Sequence, residues 1–176
     1  MDYKEKIRTV PHFPKKGVMF KDITTLLKDA QALRAVTDEM VHYYIKKPFS
    51  IDKVVSAESR GFIFGALLAH ELHAGFVPLR KPGKLPAKTI KQEFKTEYST
   101  DAFEMHADAI EKGDSCVIVD DLLATGGTAK AAVDLVERLG GEVKGLFFLI
   151  ELSFLKGRER LKGHDVFSLI KYDSEE

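Results

Sequence analysis

Two adjacent acids, Asp120 and Asp121, close an apolar β-branched run and stand directly before Leu122-Leu123-Ala124-Thr125-Gly126-Gly127-Thr128. An amphipathic stretch follows. A strand–loop–helix turn of this kind offers an anion several backbone N–H groups at a helix N-terminus, where the helix dipole favours negative charge. Gly126 and Gly127 let the backbone approach a phosphate closely, and Thr125 and Thr128 add hydroxyl donors. The acids, fixed at the strand end, suit a vicinal diol. A phosphate site beside a diol site has the shape of a ribose 5-phosphate. The string lacks the Lys-Ser or Lys-Thr of a P-loop and the G-x-G-x-x-G of a dinucleotide site.

Two further clusters carry charge at predicted strand ends. Glu58-Ser59-Arg60-Gly61 precedes a helical stretch and offers Ser59 and Arg60 to a second anion. Arg80-Lys81-Pro82-Gly83-Lys84-Leu85-Pro86 sets three cations around a turn, suited to a diphosphate. Each cluster alone reads equally as an ordinary solvated loop; beside the loop at 124–128 they gain a shared purpose. His70-Glu71-Leu72-His73 lacks the H-E-x-x-H spacing of a zinc helix, and His12, His42, His106 and His164 stand isolated, so no metal site made of protein side chains is expected.

These clusters need a scaffold that brings strand ends together. Helical patterns are expected over residues 3–10, 29–44 (with Asp29 as its cap), 62–73 and 128–139, and strands over 51–57, 76–79, 115–119 and 143–152. Two prolines and a glycine make residues 13–20 an irregular arm. Residues 80–105 show little helical period and read as a long β-hairpin-like excursion, of the length usual for lids and binding loops. Alternating strands and helices imply an α/β fold, a mainly parallel sheet flanked by helices on both sides, with ligands at the carboxyl ends of strands.

A chain of 176 residues is expected to form a single domain, with an N-terminal hood over residues 1–28 and a flexible loop over 84–105. Lys+Arg and Asp+Glu are 27 each, which argues against nucleic acid as the main partner. The start of the chain is charged and lacks the apolar core of a signal peptide, and the longest apolar stretch, residues 61–69, is too short to span a bilayer. One cysteine, Cys116, in an apolar strand fits a reducing cytoplasm, with no membrane partner.

The acids and the loop at 124–128 resemble the phosphoribosyl pyrophosphate signature of the type I phosphoribosyltransferases. Phe20-Lys21-Asp22-Ile23, Ser59-Arg60-Gly61-Phe62, the turn at 83–86, and Glu151-Leu152 followed by Leu155-Lys156-Gly157-Arg158 occur with it in one order. Over nearly the whole chain the set is similar to the adenine-using branch of that family. The resemblance implies purine salvage: transfer of the 5-phosphoribosyl group from phosphoribosyl pyrophosphate to adenine, giving AMP and pyrophosphate. It implies that Ala124, Thr125, Gly126, Gly127 and Thr128 hold the 5-phosphate, that Asp120 and Asp121 hold the ribose hydroxyls, and that Ser59, Arg60 and Lys81 meet the diphosphate. Arg80 or Lys84 would join them or reach a partner subunit's site. Phe20 would stack on adenine, with Met19, Lys21 and Leu152 around it, and Glu97 and Tyr98 would lie on the closing loop, Glu97 as general base. Arg60, Asp120 and Asp121 would share the catalytic work. Mg²⁺ carried mainly by phosphoribosyl pyrophosphate, a homodimer, and a cis Glu58–Ser59 peptide are further implications. Lys21 stands where the family frequently has Arg, and Ser99 where Gly is common. A transferase for a 6-oxo purine and a non-enzymatic regulator on the same fold remain as alternatives; the regulator needs a basic face or DNA-binding appendage, which the neutral chain does not show.

Overall fold

The computed structural model describes residues 1–95 and 100–175. Its elements, in chain order, are β1 (Arg8–Pro11), β2 (Met19–Asp22), α1 (Thr24–Leu27), α2 (Ala30–Ile45), β3 (Lys53–Ala57), α3 (Arg60–Glu71), β4 (Gly75–Leu79), β5 (Thr89–Lys95), β6 (Thr100–His106), β7 (Ser115–Leu123), α4 (Gly127–Arg138), β8 (Glu142–Leu152) and β9 (Val166–Tyr172), with short 3₁₀ turns at Lys4–Lys6, Ser153–Leu155 and Gly157–Leu161. Five strands form a wholly parallel sheet in the order β4-β3-β7-β8-β9. β1 and β2 make a small antiparallel hood, and β5 and β6 a separate antiparallel hairpin.

The central strands are apolar on both faces because helices cover both, so their sequences read as continuous hydrophobic runs rather than alternating ones. Alternate residues of β3 and β7 then divide between two cores. Val54, Val117 and Val119 pack with Phe64 and Leu68 of α3 and Val36 and Met40 of α2. Val55, Ile118 and Ala57 pack on the other side with Val133 and Val136 of α4 and with Phe103 and Met105 of the hairpin. The carboxyl ends of β3, β4 and β7 meet at one edge, where the loops after them carry the charged clusters.

Most expected elements form. Asp29 caps α2, its Oδ1 accepting from the N–H groups of Gln31 at 3.0 Å and Ala32 at 3.1 Å. Three differences have physical causes. Residues 3–10 were expected to be helical, but only Lys4–Lys6 makes a turn; the β-branched Ile7, Thr9 and Val10 favour extended backbone, and β1 pairs with β2. β2 likewise orders the end of the arm expected to be irregular. β7 runs four residues beyond its expected end at Val119, so Asp120 and Asp121 lie inside the strand; backbone pairing with β8 continues through Leu123 and overrides the poor strand propensity of two acids. β9, to which the sequence analysis assigned no element, adds the second edge of the sheet.

α3 crosses β3 at close range because Gly65 faces Ser56. A Cβ on Gly65 would lie 1.9 Å from Ser56 Oγ and 3.1 Å from the Phe76 ring. Gly65→Ala is therefore expected to push α3 off the sheet and to lower stability by about 1–3 kcal/mol, the usual range for an overpacked core. Urea unfolding that gives an unchanged midpoint would show that the contact yields without strain.

Candidate active site

The loop at 124–128, expected to hold a phosphate, is built by an interlock of two glycines. Gly126, the N-cap of α4, has φ 81°, a left-handed conformation that glycine adopts without a Cβ penalty. A Cβ there would sit 2.4 Å from the carbonyl oxygen of Gly157. Conversely, a Cβ on Gly157 would lie 2.1 Å from the Ala124 carbonyl oxygen and 2.9 Å from the Gly126 nitrogen. The 3₁₀ turn Gly157–Leu161 thus backs the loop directly. Next to it, Arg158 clamps Glu151 at the end of β8 through two bonds of 3.0 and 2.5 Å and donates to the Val166 carbonyl at 2.6 Å. The Arg158 hydrogen bonds hold the Glu151 carboxyl below its ordinary range, against the opposing effect of burial. The sequence analysis quoted Gly157 and Arg158 without a role; a glycine before a basic residue just past a strand was the available signal.

Asp120 and Asp121 form an enclosed pair with one cationic partner. Arg60 Nη2 meets Asp121 Oδ2 at 2.8 Å, and Asp120 Oδ1 accepts the Asp121 N–H at 2.9 Å. The first turn of α3 lies so near that a Cβ on Gly61 would be 2.5 Å from Asp120 Oδ1. Burial, then the adjacent Asp121 charge, push the Asp120 carboxyl well above its ordinary range; burial also raises that of Asp121, with Arg60 opposing.

The cations expected to meet a diphosphate are gathered by an acid that sequence reasoning passed over. Glu58 Oε2 accepts from Arg80 Nε at 2.9 Å and Lys84 Nζ at 3.3 Å, while its Oε1 takes the Lys81 backbone N–H at 2.7 Å. Burial opposes ionisation of Glu58, but these bonds outweigh it and hold its carboxyl below the usual range. The Lys81 ammonium turns instead to Asp101 of β6. The Glu58–Ser59 peptide is cis. Ser59, Arg60 and Lys81 line one cleft of ≈ 530 Å³ together with Asp120, Asp121 and the whole loop from Ala124 to Thr128. Arg80 and Lys84 do not line it and point to Glu58 of their own chain.

Strand alternation divides the hood residues. Phe20 faces this cleft, its ring 5.1 Å from the Arg60 guanidinium and 5.1 Å from the ring of Phe13. Met19, Lys21 and Leu152, expected beside Phe20, line a second cavity of ≈ 300 Å³. The Lys21 ammonium donates to Thr9 Oγ1 at 3.1 Å and lies 4.2 Å from the Tyr172 ring, turned away from the cleft. From the other side the hairpin reaches over the start of α4: the Lys95 carbonyl oxygen is 2.8 Å from where a Cβ on Gly127 would stand, and Phe94 lines the cleft. Glu97 and Tyr98 lie outside the described residues.

Comparison with known proteins bears on this arrangement. The family model of the phosphoribosyl transferase domain matches residues 22–173. The adenine phosphoribosyltransferase of Acetivibrio thermocellus is 56% identical over 172 residues, 98% of this chain and 100% of the relative. Among solved structures, the adenine phosphoribosyltransferase of Thermoanaerobacter pseudethanolicus superposes with a TM-score of 0.91 at 53% identity, covering 97% of this chain and 98% of its own. That of Saccharomyces cerevisiae, complexed with an imino-altritol bisphosphate and adenine, gives 0.88 at 39% identity over 96% of each chain.

The enclosed acid pair has a consequence for stability. A carboxyl raised in the folded state contributes stability below its unfolded pKa and loses it as pH rises through the folded value. Asp120→Asn removes that loss and keeps an oxygen for the Asp121 N–H. The ligand-free variant should therefore gain stability over the parent chain, and gain more at pH 8 than at pH 5. Urea midpoints at the two pH values read the effect; a variant less stable than the parent at pH 8 would contradict it.

Proposed function

The chain belongs to the phosphoribosyltransferase family, and we infer that it joins adenine to phosphoribosyl pyrophosphate, giving AMP and pyrophosphate, a purine-salvage reaction. The observation that carries this reading is one cleft lined by an aromatic face, Phe20, by the acid pair, by the cations Arg60 and Lys81, and by the whole loop from Ala124 to Thr128. That set of groups matches a base, a ribose and its two phosphate-bearing ends. Relatives named adenine phosphoribosyltransferase, 54–57% identical over nearly the full chain, support the choice of base.

In the reaction the bond from the anomeric carbon to the diphosphate oxygen breaks, a purine ring nitrogen bonds to that carbon, and its proton leaves. Positive charge grows on the sugar and negative charge on the departing diphosphate. Backbone N–H groups of residues 124–128 and the hydroxyls of Thr125 and Thr128 hold the far phosphate, using remote binding energy for orientation. Asp120 and Asp121 accept from the ribose hydroxyls and set negative charge beneath the electron-poor ring. Ser59, Arg60 and Lys81 receive the diphosphate, which is electrostatic stabilisation of the leaving group. Arg80 and Lys84, anchored by Glu58, act as its more distant counter-charge. Glu97 takes the purine proton as general base. Water must be kept from the reactive ribosyl centre, and Phe94 and Phe103 of the hairpin line that cleft.

Two adjacent carboxyl groups with Arg60 as partner line the cleft, a set of oxygens that suits a substrate carrying Mg²⁺. The ion would be held mainly by phosphoribosyl pyrophosphate itself, with Asp120 and Asp121 lining the same cleft, and would supply charge neutralisation at the diphosphate. Phe20 stacks on adenine and the β2 backbone at Met19 and Lys21 reads its edge, the side chains of these two and of Leu152 lining the neighbouring cavity. A homodimer is proposed, supported by the exposure of Ile63 (37%) and Phe76 (36%) on α3 and the sheet-edge strand β4. The buried Cys116 thiol, pushed up to about 12 by burial first and by Asp114 and Asp52 after it, suits a cytoplasmic location.

Pyrophosphate release with Mg²⁺, phosphoribosyl pyrophosphate and a panel of bases tests the reading. Adenine should exceed hypoxanthine in kcat/KM by about 10⁴-fold or more, because carbonyls placed for the exocyclic amine are left unpaired by a 6-oxo base. Comparable values would overturn the base assignment alone. Phe20→Ala should raise KM for adenine about 3- to 10-fold, the size of an aromatic stacking contribution, and Lys21→Ala should change it less. The double variant Asp120→Asn, Asp121→Asn should stay folded yet lose about 10²- to 10⁴-fold in kcat/KM, at roughly 1.5–3 kcal/mol for each charge-assisted bond. Unchanged turnover would remove the acids from the mechanism.

A further inference from the structure

Lys81 is gripped at two points of different character. Its backbone N–H is fixed to Glu58 Oε1 at 2.7 Å, a bond to a carboxylate that is itself enclosed and shared with Arg80 and Lys84. Its ammonium is held by Asp101 Oδ2 from the other wall of the cleft, on the hairpin. The same ammonium lies 5.2 Å from the Phe103 ring centre and 6.0 Å from that of Phe94, both of which line the cleft. Asp101 is in turn oriented by its Oδ1, which accepts the Ala102 N–H at 2.8 Å. The lysine main chain is therefore anchored, while its charged end, among the described residues, is paired with a half-exposed carboxylate.

We propose that Asp101 is a positioning residue that acts through Lys81 as a displaceable counter-ion and weakens the grip of the site on a diphosphate. The inference rests on the assignment of Lys81 to the diphosphate made above. When a diphosphate enters, Lys81 must exchange the Asp101 carboxylate for phosphate oxygens, and Asp101 is left as an uncompensated negative charge lining the same cleft as the anion. Both effects oppose binding, of substrate and of released pyrophosphate alike. Side-chain exposures of 39% for Lys81 and 33% for Asp101 keep the pair weak enough to exchange. A base of the hairpin fixed by backbone bonds of 3.0 and 2.8 Å between Arg80 and Glu104 lets the pair open without moving the basic turn.

Calorimetric titration of the ligand-free protein with magnesium pyrophosphate measures this directly. Asp101→Asn should bind pyrophosphate about 2- to 5-fold more tightly than the parent chain, the range of a partly exposed ion pair, whereas Asp101→Glu should stay near the parent. On a Lys81→Ala background the gain from Asp101→Asn should shrink to less than half, because no ion pair remains to be exchanged. A merely structural role for Asp101 predicts the opposite sign, since a disturbed hairpin loosens the site. Unchanged or weaker binding by Asp101→Asn, or an equal gain with and without Lys81, would overturn the proposal. If the parent chain releases pyrophosphate from adenine and phosphoribosyl pyrophosphate but Asp101→Asn binds pyrophosphate as the parent does, this inference alone fails. If the parent chain shows no such release, the functional reading fails first.

Discussion

Two carboxylates enclosed at the end of a central strand are expensive to ionise, and the rest of the site is arranged around that constraint. Desolvation and the neighbouring charge raise the Asp120 carboxyl, against the Asp121 N–H bond and the Arg60 charge, which oppose the shift. The fold answers with geometry. β7 occupies the middle of the sheet, paired with β3 up to Val119 and with β8 on through Leu123, so the acids stand where one neighbour has ended and the other still holds the strand. α3 begins with Arg60-Gly61, which brings a guanidinium and the positive end of a helix dipole against the acids. Gly61 is needed at that spot because any side chain would collide with Asp120. A ligand with hydroxyl donors and an associated cation relieves the same constraint, so the cost of enclosing the pair is tied to what the pair is there to bind.

The second constraint is the backing of the phosphate loop. A ring of N–H groups binds an anion well only if its backbone is already held in place, and Gly126 and Gly157 leave each other no room to shift. The Arg158–Glu151 clamp fixes that contact to the ends of β8 and β9. The segment after β8 is thus part of the site although none of its side chains lines the cleft. A buried ion pair adds little stability by itself when compared with apolar packing, but it specifies one arrangement of the groups it joins.

What was legible in the sequence was local. The loop at 124–128, its preceding acids and α4 lie within some twenty consecutive residues, and their types carry their chemistry through backbone geometry alone. Arg60 and Lys81 were legible for a related reason: each stands at the end of a predicted parallel strand, and such ends converge. Glu58, Asp101 and Gly157 were not, because their importance lies in contacts across 23, 20 and 31 residues of chain, which no periodicity records. The hood shows a different limit. Treating Met19, Phe20 and Lys21 as one group ignored the strand that forms there, and a period of two sends Phe20 to one cavity and its neighbours to another. That strand exists because β1 pairs with it, a tertiary fact that overrode the helical reading of residues 3–10.

These contacts also describe the charge state of the empty cleft. Each cation that lines it is already matched: Arg60 by Asp121, and Lys81 by Asp101. Arg80 and Lys84, just outside, share Glu58. Arg60 moreover lies over Phe20, the face proposed for the base. An anionic substrate therefore enters by exchanging ion pairs rather than by filling a field of free positive charge, and the net gain is the difference between two sets of contacts. The pairs differ in how readily they exchange. Glu58 is enclosed and bonded three times, which makes the basic turn a fixed support. Asp101 is half-exposed and bonded once to a flexible ammonium, and Arg60 can move from Asp121 only if something else compensates the acids. On the proposed assignment, sugar hydroxyls at the acid pair and a diphosphate at Arg60 would bind in coupled steps, because each would supply the partner that the other removes.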